Sequence, residues 1–157
     1  MQRPPLKQAK SIDNVFNSAY WHLSQQDFTI AEIRTKLERK TDNIEWIEKV
    51  LAKLIDNSYL KGDLEFAIRY CESALNSEIG KAAIHRKLSL RGISLFDIET
   101  ALEQVIEQED IDFNEMATSQ LFNRYLTLSG ISKEKIYSQM TNRGFSRQEI
   151  DQALSQH

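Results

Sequence analysis

The chain has 157 residues, of which 41% are hydrophobic and 27% are charged, and its formal net charge at pH 7 is −3. This composition supports a packed interior and excludes an intrinsically disordered chain. A single cysteine, Cys71, excludes an intramolecular disulfide, and the negative net charge argues against a dedicated nucleic-acid binder. The two prolines stand at positions 4 and 5 and the five glycines are scattered, which leaves little turn chemistry for a strand-rich fold.

The first ten residues, Met1 to Lys10, form a tail without the apolar centre of a signal peptide. No apolar run in the sequence has the length of a membrane span. We therefore expect a soluble cytoplasmic protein with no membrane partner. The lone cysteine is consistent with a reducing compartment.

A repeat organises the chain after this tail. Three segments that begin at Ile33, Ile84 and Ile136 align without a gap over about twenty positions, at offsets of 51 and 52 residues. They share apolar residues at helical spacing. The best-matched positions are Leu37, Leu88 and Met140, then Ile47, Ile98 and Ile150, then Leu51, Leu102 and Leu154.

Each segment spans two helices, and capping signals mark the start of a helix in each copy: the last helix in the second and third copies, and the middle helix in the first. A hydroxyl residue stands three positions before an acid at the start of a helix, which is the spacing of a capping box. The pairs are Thr29 with Glu32, Ser94 with Asp97 and Ser146 with Glu149. Gly92, preceded by Arg91, is suited to end the middle helix of the second copy in a left-handed conformation.

A further helix precedes each pair, with apolar stripes that repeat less clearly. The third stripe comprises Phe113, Ala117, Leu121, Tyr125 and Leu128, and Asp63 is the expected cap of the second. The sequence thus predicts an all-α protein of three tandem three-helix repeats, resembling helix-turn-helix units, at residues 11–60, 61–110 and 111–157. Stacked units of this kind form an elongated array, curved or straight.

Charges are sorted by helix. Residues 81–91 carry four cations and no acid, and residues 33–40 carry four cations against Glu38, whereas residues 97–110 carry six carboxylates and no cation. Solvated helix faces and helix dipoles explain part of this sorting. A basic stripe for a phosphate backbone or an acidic protein groove is the functional alternative. Its candidate residues are Arg34, Arg39, Lys81, Arg86, Lys87, Arg91, Lys133 and Arg143.

No catalytic or metal-binding pattern is present. The three histidines match no zinc motif, no glycine-rich phosphate loop occurs, and no nucleophile has a plausible base. We expect no catalytic residue, no metal and no cofactor. Trp21 and Trp46 fall among apolar helix positions, which favours packing over base stacking. A helix-turn-helix around Gly92 would place the acidic helix against phosphates, so sequence-specific DNA reading is disfavoured.

Three stretches of the chain resemble the bacterial regulatory RecX family. They are YLKGDLEFA at residues 59–67, the segment from Gly80 to Ser94, and the ending from Met140 to Ile150. The three stretches have the order and spacing typical of the family, and the resemblance extends from about Val15 to Leu154. The chain departs from it at Ala74, where members usually have arginine.

The resemblance implies a partner that composition does not. Proteins of this family bind the RecA recombinase, particularly its filament on single-stranded DNA, and inhibit its ATPase, strand-exchange and coprotease activities. We accordingly expect a monomeric, non-enzymatic regulator of recombinational DNA repair and the SOS response. The alternatives are a non-specific DNA-binding repeat module that acts without RecA, on single- or double-stranded DNA, and a helical scaffold for another partner.

Overall fold

The computed structural model describes residues 8–125 and 130–156, and these residues are all-α, as predicted. Positions 1–7 of the expected tail and Leu128 of the third apolar stripe lie outside the described residues. The described part of the chain contains nine helices and no strand. They are α1 (Ile12–Gln25), α2 (Ile30–Glu38), α3 (Ile44–Asp56), α4 (Asp63–Asn76), α5 (Lys81–Leu90), α6 (Leu95–Glu109), α7 (Phe113–Arg124), α8 (Lys133–Asn142) and α9 (Arg147–Ser155). None of the described helices is long and apolar enough to cross a membrane.

Helix starts follow the predicted caps. Thr29 and Ser146 each accept a hydrogen bond from the backbone of the acid three residues later, and that acid's carboxylate accepts one from the backbone of the cap. Ser94 accepts from the Asp97 N–H. Asp63, the expected cap of α4, is instead the first residue of that helix, because the Gly62 carbonyl already accepts from the Phe66 N–H. Each cap satisfies backbone donors that a helix start otherwise leaves unpaired, so local sequence fixes these boundaries.

The first compact unit comprises the described residues up to Phe66 together with Arg91–Ile93. Within it, α1, α2 and α3 pack around a fully apolar core. That core contains Val15, Ala19, Ile33, Leu37, Ile47, Val50, Leu51, Leu54 and Leu60.

The second compact unit comprises Ala67–Leu90 and the described residues from Ser94 onwards. Within it, α7, α8 and α9 enclose a core of Ala117, Leu121, Tyr125, Ile136, Met140, Phe145, Ile150 and Ala153. Helices α5 and α6 also contact each other, and Ile84 and Leu88 of α5 and Ile98 and Leu102 of α6 are buried.

Most apolar positions that repeat in the sequence are buried in all three copies, with Leu154, the match of Leu51 and Leu102, only half-buried. Ile33, Ile84 and Ile136 are each at most 7% exposed. The next two aligned sets are at most 4% exposed; they are Leu37, Leu88 and Met140, and Ile47, Ile98 and Ile150. The repeat therefore corresponds to a shared pattern of burial. The division into three units at residues 11–60, 61–110 and 111–157 stays a prediction.

Trp21 is where the sequence-based prediction is wrong. Its side chain is 60% exposed, whereas Trp46 is half-buried and packs against the first core. The buried face of α1 carries Val15 and Ala19, and two residues beyond Ala19 correspond to a rotation of roughly 200° about the helix axis. Trp21 therefore lies on the solvent side of α1.

Candidate partner-binding surface

The eight candidate cations lie on or directly after the middle helices. In the first copy, Arg34 lies in α2 and Arg39 is the C-cap of that helix. In the second copy, Lys81, Arg86 and Lys87 lie in α5 and Arg91 directly follows α5. In the third copy, Lys133 lies in α8 and Arg143 is the C-cap of that helix. Their surroundings differ, and the differences separate cations that hold the fold together from cations that face solvent.

Arg91 is bound within the first unit. Its guanidinium donates to both carboxylate oxygens of Glu32, at 3.1 and 2.9 Å, and to the backbone oxygen of Asp27 at 3.1 Å. The hydroxyl of Thr29 donates to the Arg91 carbonyl at 2.7 Å, and the guanidinium lies 4.7 Å from the centre of the Phe66 ring. A forked, charge-assisted contact of this kind fixes the position of the turn that carries Gly92.

The charge of Arg91 alters the acidity of its partner. Burial by itself would raise the pKa of Glu32, but the hydrogen bond from Arg91, the bond to the Thr29 backbone and the positive charge together hold the pKa below its ordinary value. Glu32 is therefore an ionised partner of Arg91 as well as half of the α2 capping box.

Arg143 makes a similar contact within the second unit. Its guanidinium donates to the backbone oxygens of Ser77 and Glu78 at 3.2 and 3.4 Å. The Arg143 carbonyl in turn accepts from the Gly80 N–H at 2.7 Å. Arg91 and Arg143 occupy equivalent repeat positions, and each binds carbonyl oxygens of a loop earlier in the chain.

Glycine is required where this second turn meets the start of α5. A Cβ added to Gly80 would lie 2.3 Å from the backbone of Gly144, and one added to Gly144 would lie 2.4 Å from the Ala83 nitrogen. Gly144 also has a φ of +97°. The contact therefore tolerates no side chain at either position.

One side of α5 faces the acids of α6. Lys81 lines an open cleft of about 380 Å³ with Glu99, Glu103 and Glu107. The His85 Nε2 atom lies 3.2 Å from a carboxylate oxygen of Glu99. The acidic character of α6 is thus directed partly at cations of its own copy.

Arg86 and Lys87 are exposed. The Arg86 guanidinium donates to the Asn142 carbonyl at 3.3 Å, next to Arg143, so the structure brings these two candidate arginines to one junction. Among residues 8–125 and 130–156, neither Arg86 nor Lys87 forms an ion pair. Their charges are available to an external anion.

The remaining candidates are dispersed. Arg34 pairs with Glu48 of α3 within the first unit. Lys133 lines an open cleft of about 520 Å³ with Tyr137 and Arg147. Arg39 is exposed and lies with other cations near the end of α2.

Comparison with known proteins identifies the chain. No family model matches it. It is similar to the regulatory protein RecX of Photobacterium profundum, with 38% identity over 96 residues, and to that of Haemophilus influenzae strain PittEE, with 24% identity over 147 residues. The crystal structure of RecX from Lactobacillus salivarius superimposes with a TM-score of 0.73 at 28% identity, covering 92% of this chain and 95% of that one. The chain belongs to the RecX family.

Coverage differs among RecX relatives. The matched segment is 61% of this chain and 36% of the Photobacterium protein, but 90% of this chain and 93% of the Haemophilus protein. The RecX of Leuconostoc mesenteroides matches at 27% identity over 90% of this chain and 53% of its own length. Some RecX relatives are therefore about twice as long as the segment that they share with this chain.

The sequence of this RecX-family chain does not by itself distinguish the arginines that make intramolecular contacts from the exposed ones. A signal was present in the repeat, because Arg91 and Arg143 both precede a glycine at aligned positions whereas Arg86 and Lys87 do not. An arginine beside a left-handed glycine turn is well placed to bind nearby backbone carbonyls. The prediction that any of the eight contacts a partner is tested by the experiments below.

Proposed function

We propose that this protein is a non-enzymatic regulator that binds the RecA recombinase, chiefly its filament on single-stranded DNA, in the cytoplasm. It would inhibit the ATPase, strand-exchange and coprotease activities of RecA and so modulate recombinational DNA repair and the SOS response. The observation that supports this proposal most strongly is the similarity to RecX proteins along nearly the whole chain, in sequence and in fold.

The exposed cations of α5 provide a means of binding. Arg86 and Lys87 have no carboxylate partner in the described part of the chain. Their positive charges would therefore attract the acidic surface of a partner or the phosphates of DNA without competition from an acid of this chain. Lys81 is less available because it shares a cleft with three acids. Inhibition would then be steric and electrostatic, since a protein held against the filament blocks closure of its subunits or entry of a repair substrate.

The direct test is RecA's DNA-dependent ATPase. We expect the wild-type protein to lower it, and Arg86→Glu combined with Lys87→Glu to weaken inhibition at least about tenfold, because two attractive charges become repulsive. The matched control is Lys49→Glu with Arg124→Glu, which reverses two exposed charges in α3 and α7. Unchanged ATPase at saturating wild-type protein would rule out the proposal, and equal effects of both variants would rule out a role specific to α5.

The unpaired cations also favour a second candidate, a non-specific DNA-binding module that acts without RecA. This alternative predicts binding to DNA alone, with the logarithm of the affinity falling linearly against the logarithm of salt concentration. DNA binding without any effect on RecA ATPase would favour the alternative over the leading proposal.

A further inference from the structure

An aromatic and cationic patch lies on the first unit, where α1 ends and the last turn of α2 approaches it. The indole of Trp21 meets the His22 ring edge-on at 5.1 Å between centroids, and His22 meets Phe28 at 6.2 Å. The Lys36 Nζ atom stands 4.8 Å from the centre of the Phe28 ring. We define the aromatic–cationic patch as Trp21, His22, Phe28, Lys36, Arg39 and Lys40.

The patch contains a small cleft. His22, Lys36, Arg39 and Lys40 line a volume of about 200 Å³. This volume is several times the ~30 Å³ that a water molecule takes in the liquid, so the cleft has room for a small anionic group.

The positive charge of this cleft is not neutralised. Within the described residues, none of its three cations forms an ion pair. The acid Glu38 lines a different cleft, and the nearby Asp27 is paired with Lys61 at 3.0 Å. Burial lowers the pKa of His22, and the positive charges of Lys36 and Lys40 lower it further.

A helix dipole accounts for cations at the end of α2 but not for the aromatic side of the patch. Trp21 is 60% exposed, and its neighbour Tyr20 is 47% exposed. A tryptophan left in water beside unpaired cations combines the two elements that bind single strands, a stacking surface for a base and positive charge for the backbone. A duplex does not fit this combination, because its bases are already stacked.

We propose that the aromatic–cationic patch binds single-stranded nucleic acid, with one base stacked on the Trp21 indole and an adjacent phosphate in the cleft. The site shares no residue with the α5 cations. It deepens the second candidate function, DNA binding without RecA, by naming a site and a preference for single strands. An acidic peptide or another polyanion would use the cations without requiring the indole face.

The test is fluorescence titration of a Trp46→Phe variant, in which Trp21 is the remaining tryptophan. We expect a short oligo(dT) to quench Trp21 saturably, and an abasic oligonucleotide of equal length and charge to bind more weakly. Trp21→Ala, followed by anisotropy of a labelled oligo(dT), should lose about 5- to 150-fold in affinity, the usual effect of one base stack. Trp21→Phe should retain most of the binding because it keeps an aromatic face.

The cationic part is tested with matched triple variants. Lys36→Ala with Arg39→Ala and Lys40→Ala should weaken binding at least about tenfold and flatten its salt dependence. The control triple Lys49→Ala, Arg124→Ala and Lys135→Ala removes the same charge from exposed sites elsewhere. Circular dichroism establishes that each variant folds.

Two outcomes would overturn the inference. Equal binding of abasic and oligo(dT) strands, with Trp21→Ala unchanged, would make the patch a polyanion or acidic-peptide surface. Equal losses in the two triple variants would show that net charge alone governs binding. Neither outcome bears on inhibition of RecA, because the RecA ATPase assay is a separate measurement.

Discussion

Arg91 and Arg143 show how a surface cation becomes part of the fold. Each guanidinium donates to backbone carbonyls, those of Asp27 in one case and of Ser77 and Glu78 in the other. Carbonyl oxygens in loops lack the regular partners of a helix or sheet, and a planar group with five N–H donors can satisfy several of them at once. Arg91 also has a carboxylate partner, Glu32, whereas Arg143 has none in the part of the chain that the structure describes.

Arg91→Ala should therefore destabilise the protein. It leaves the half-buried Glu32 carboxylate without its cation, and we expect a loss of about 1–3 kcal/mol in the free energy of unfolding, the usual value of a hydrogen bond to a charged group. Urea denaturation measures this loss. Lys87→Ala, which removes an exposed cation without an ion pair, is the control and should change stability little. Equal effects of the two substitutions would contradict the structural role of Arg91.

The pH dependence of stability should change in the same variant. Because the pKa of Glu32 is lowered in the folded protein, its contribution is complete above the ordinary carboxyl pKa and is lost as pH falls through the folded value. Without Arg91, burial would be opposed only by the hydrogen bonds to Thr29, so the pKa of Glu32 should rise and its contribution to stability should shrink. NMR titration of the Glu32 carboxyl should show the shift, and an unchanged titration in Arg91→Ala would contradict the assigned cause.

At the scale of elements, turns decide which helices can approach one another. The turn between α8 and α9 reaches the start of α5 through backbone hydrogen bonds from Gly80 to Arg143 and from Ala82 to Gly144. Both glycines lie so close to the opposing backbone that neither leaves room for a Cβ. Caps set the ends of each helix, but this close approach sets how α5 and the end of α8 pack.

Gly144→Ala should be severely destabilising. Its φ of +97° strains any other residue, and the added methyl would overlap the backbone of Ala83. The control is Gly130→Ala, since Gly130 also has a positive φ, +89°, but no atom of the residues that the structure describes lies within 4 Å of the added atom. We expect a loss of about 1 kcal/mol at Gly130 and more than about 3 kcal/mol at Gly144, measured by thermal unfolding. Similar losses at both positions would show that backbone strain alone matters.

At the scale of the whole molecule, a net charge of −3 conceals local regions of either sign. Lys81 of α5 shares a cleft with acids of α6, whereas Arg86, Lys87 and the aromatic–cationic patch have no ion-pair partner among residues 8–125 and 130–156. The negative net charge makes copies of the chain repel one another, whereas the local groups of cations attract negatively charged partners.

We expect the chain to be a monomer in solution. The net negative charge opposes self-association, although ten large apolar side chains of the described residues are exposed, Leu90 at 81% and Phe96 at 77% among them. Light scattering should give the mass of one chain, 18.2 kDa, at micromolar and higher concentrations. A concentration-dependent mass that returns to that of one chain in Phe96→Ser would instead identify an apolar contact between copies.

The sequence by itself determined the all-α class, the caps at Thr29, Ser94 and Ser146, and the repeated buried positions. These depend on residues a few positions apart, because helix periodicity and capping are local interactions. The RecX family was likewise recognisable from the order and spacing of three short segments. Local chemistry of this kind can be read without coordinates.

Only the tertiary structure decided which cations are free. Arg91 and Arg86 are both cationic residues at or near the end of one helix, yet Arg91 binds Glu32, 59 positions away, and Arg86 is exposed without an ion pair. The exposure of Trp21 was also decided by the tertiary structure, because the core that contains Val15 and Ala19 shows which side of α1 faces solvent. Contacts between residues distant in sequence set the partner of each charge and the exposure of each ring, and no local spacing encodes them.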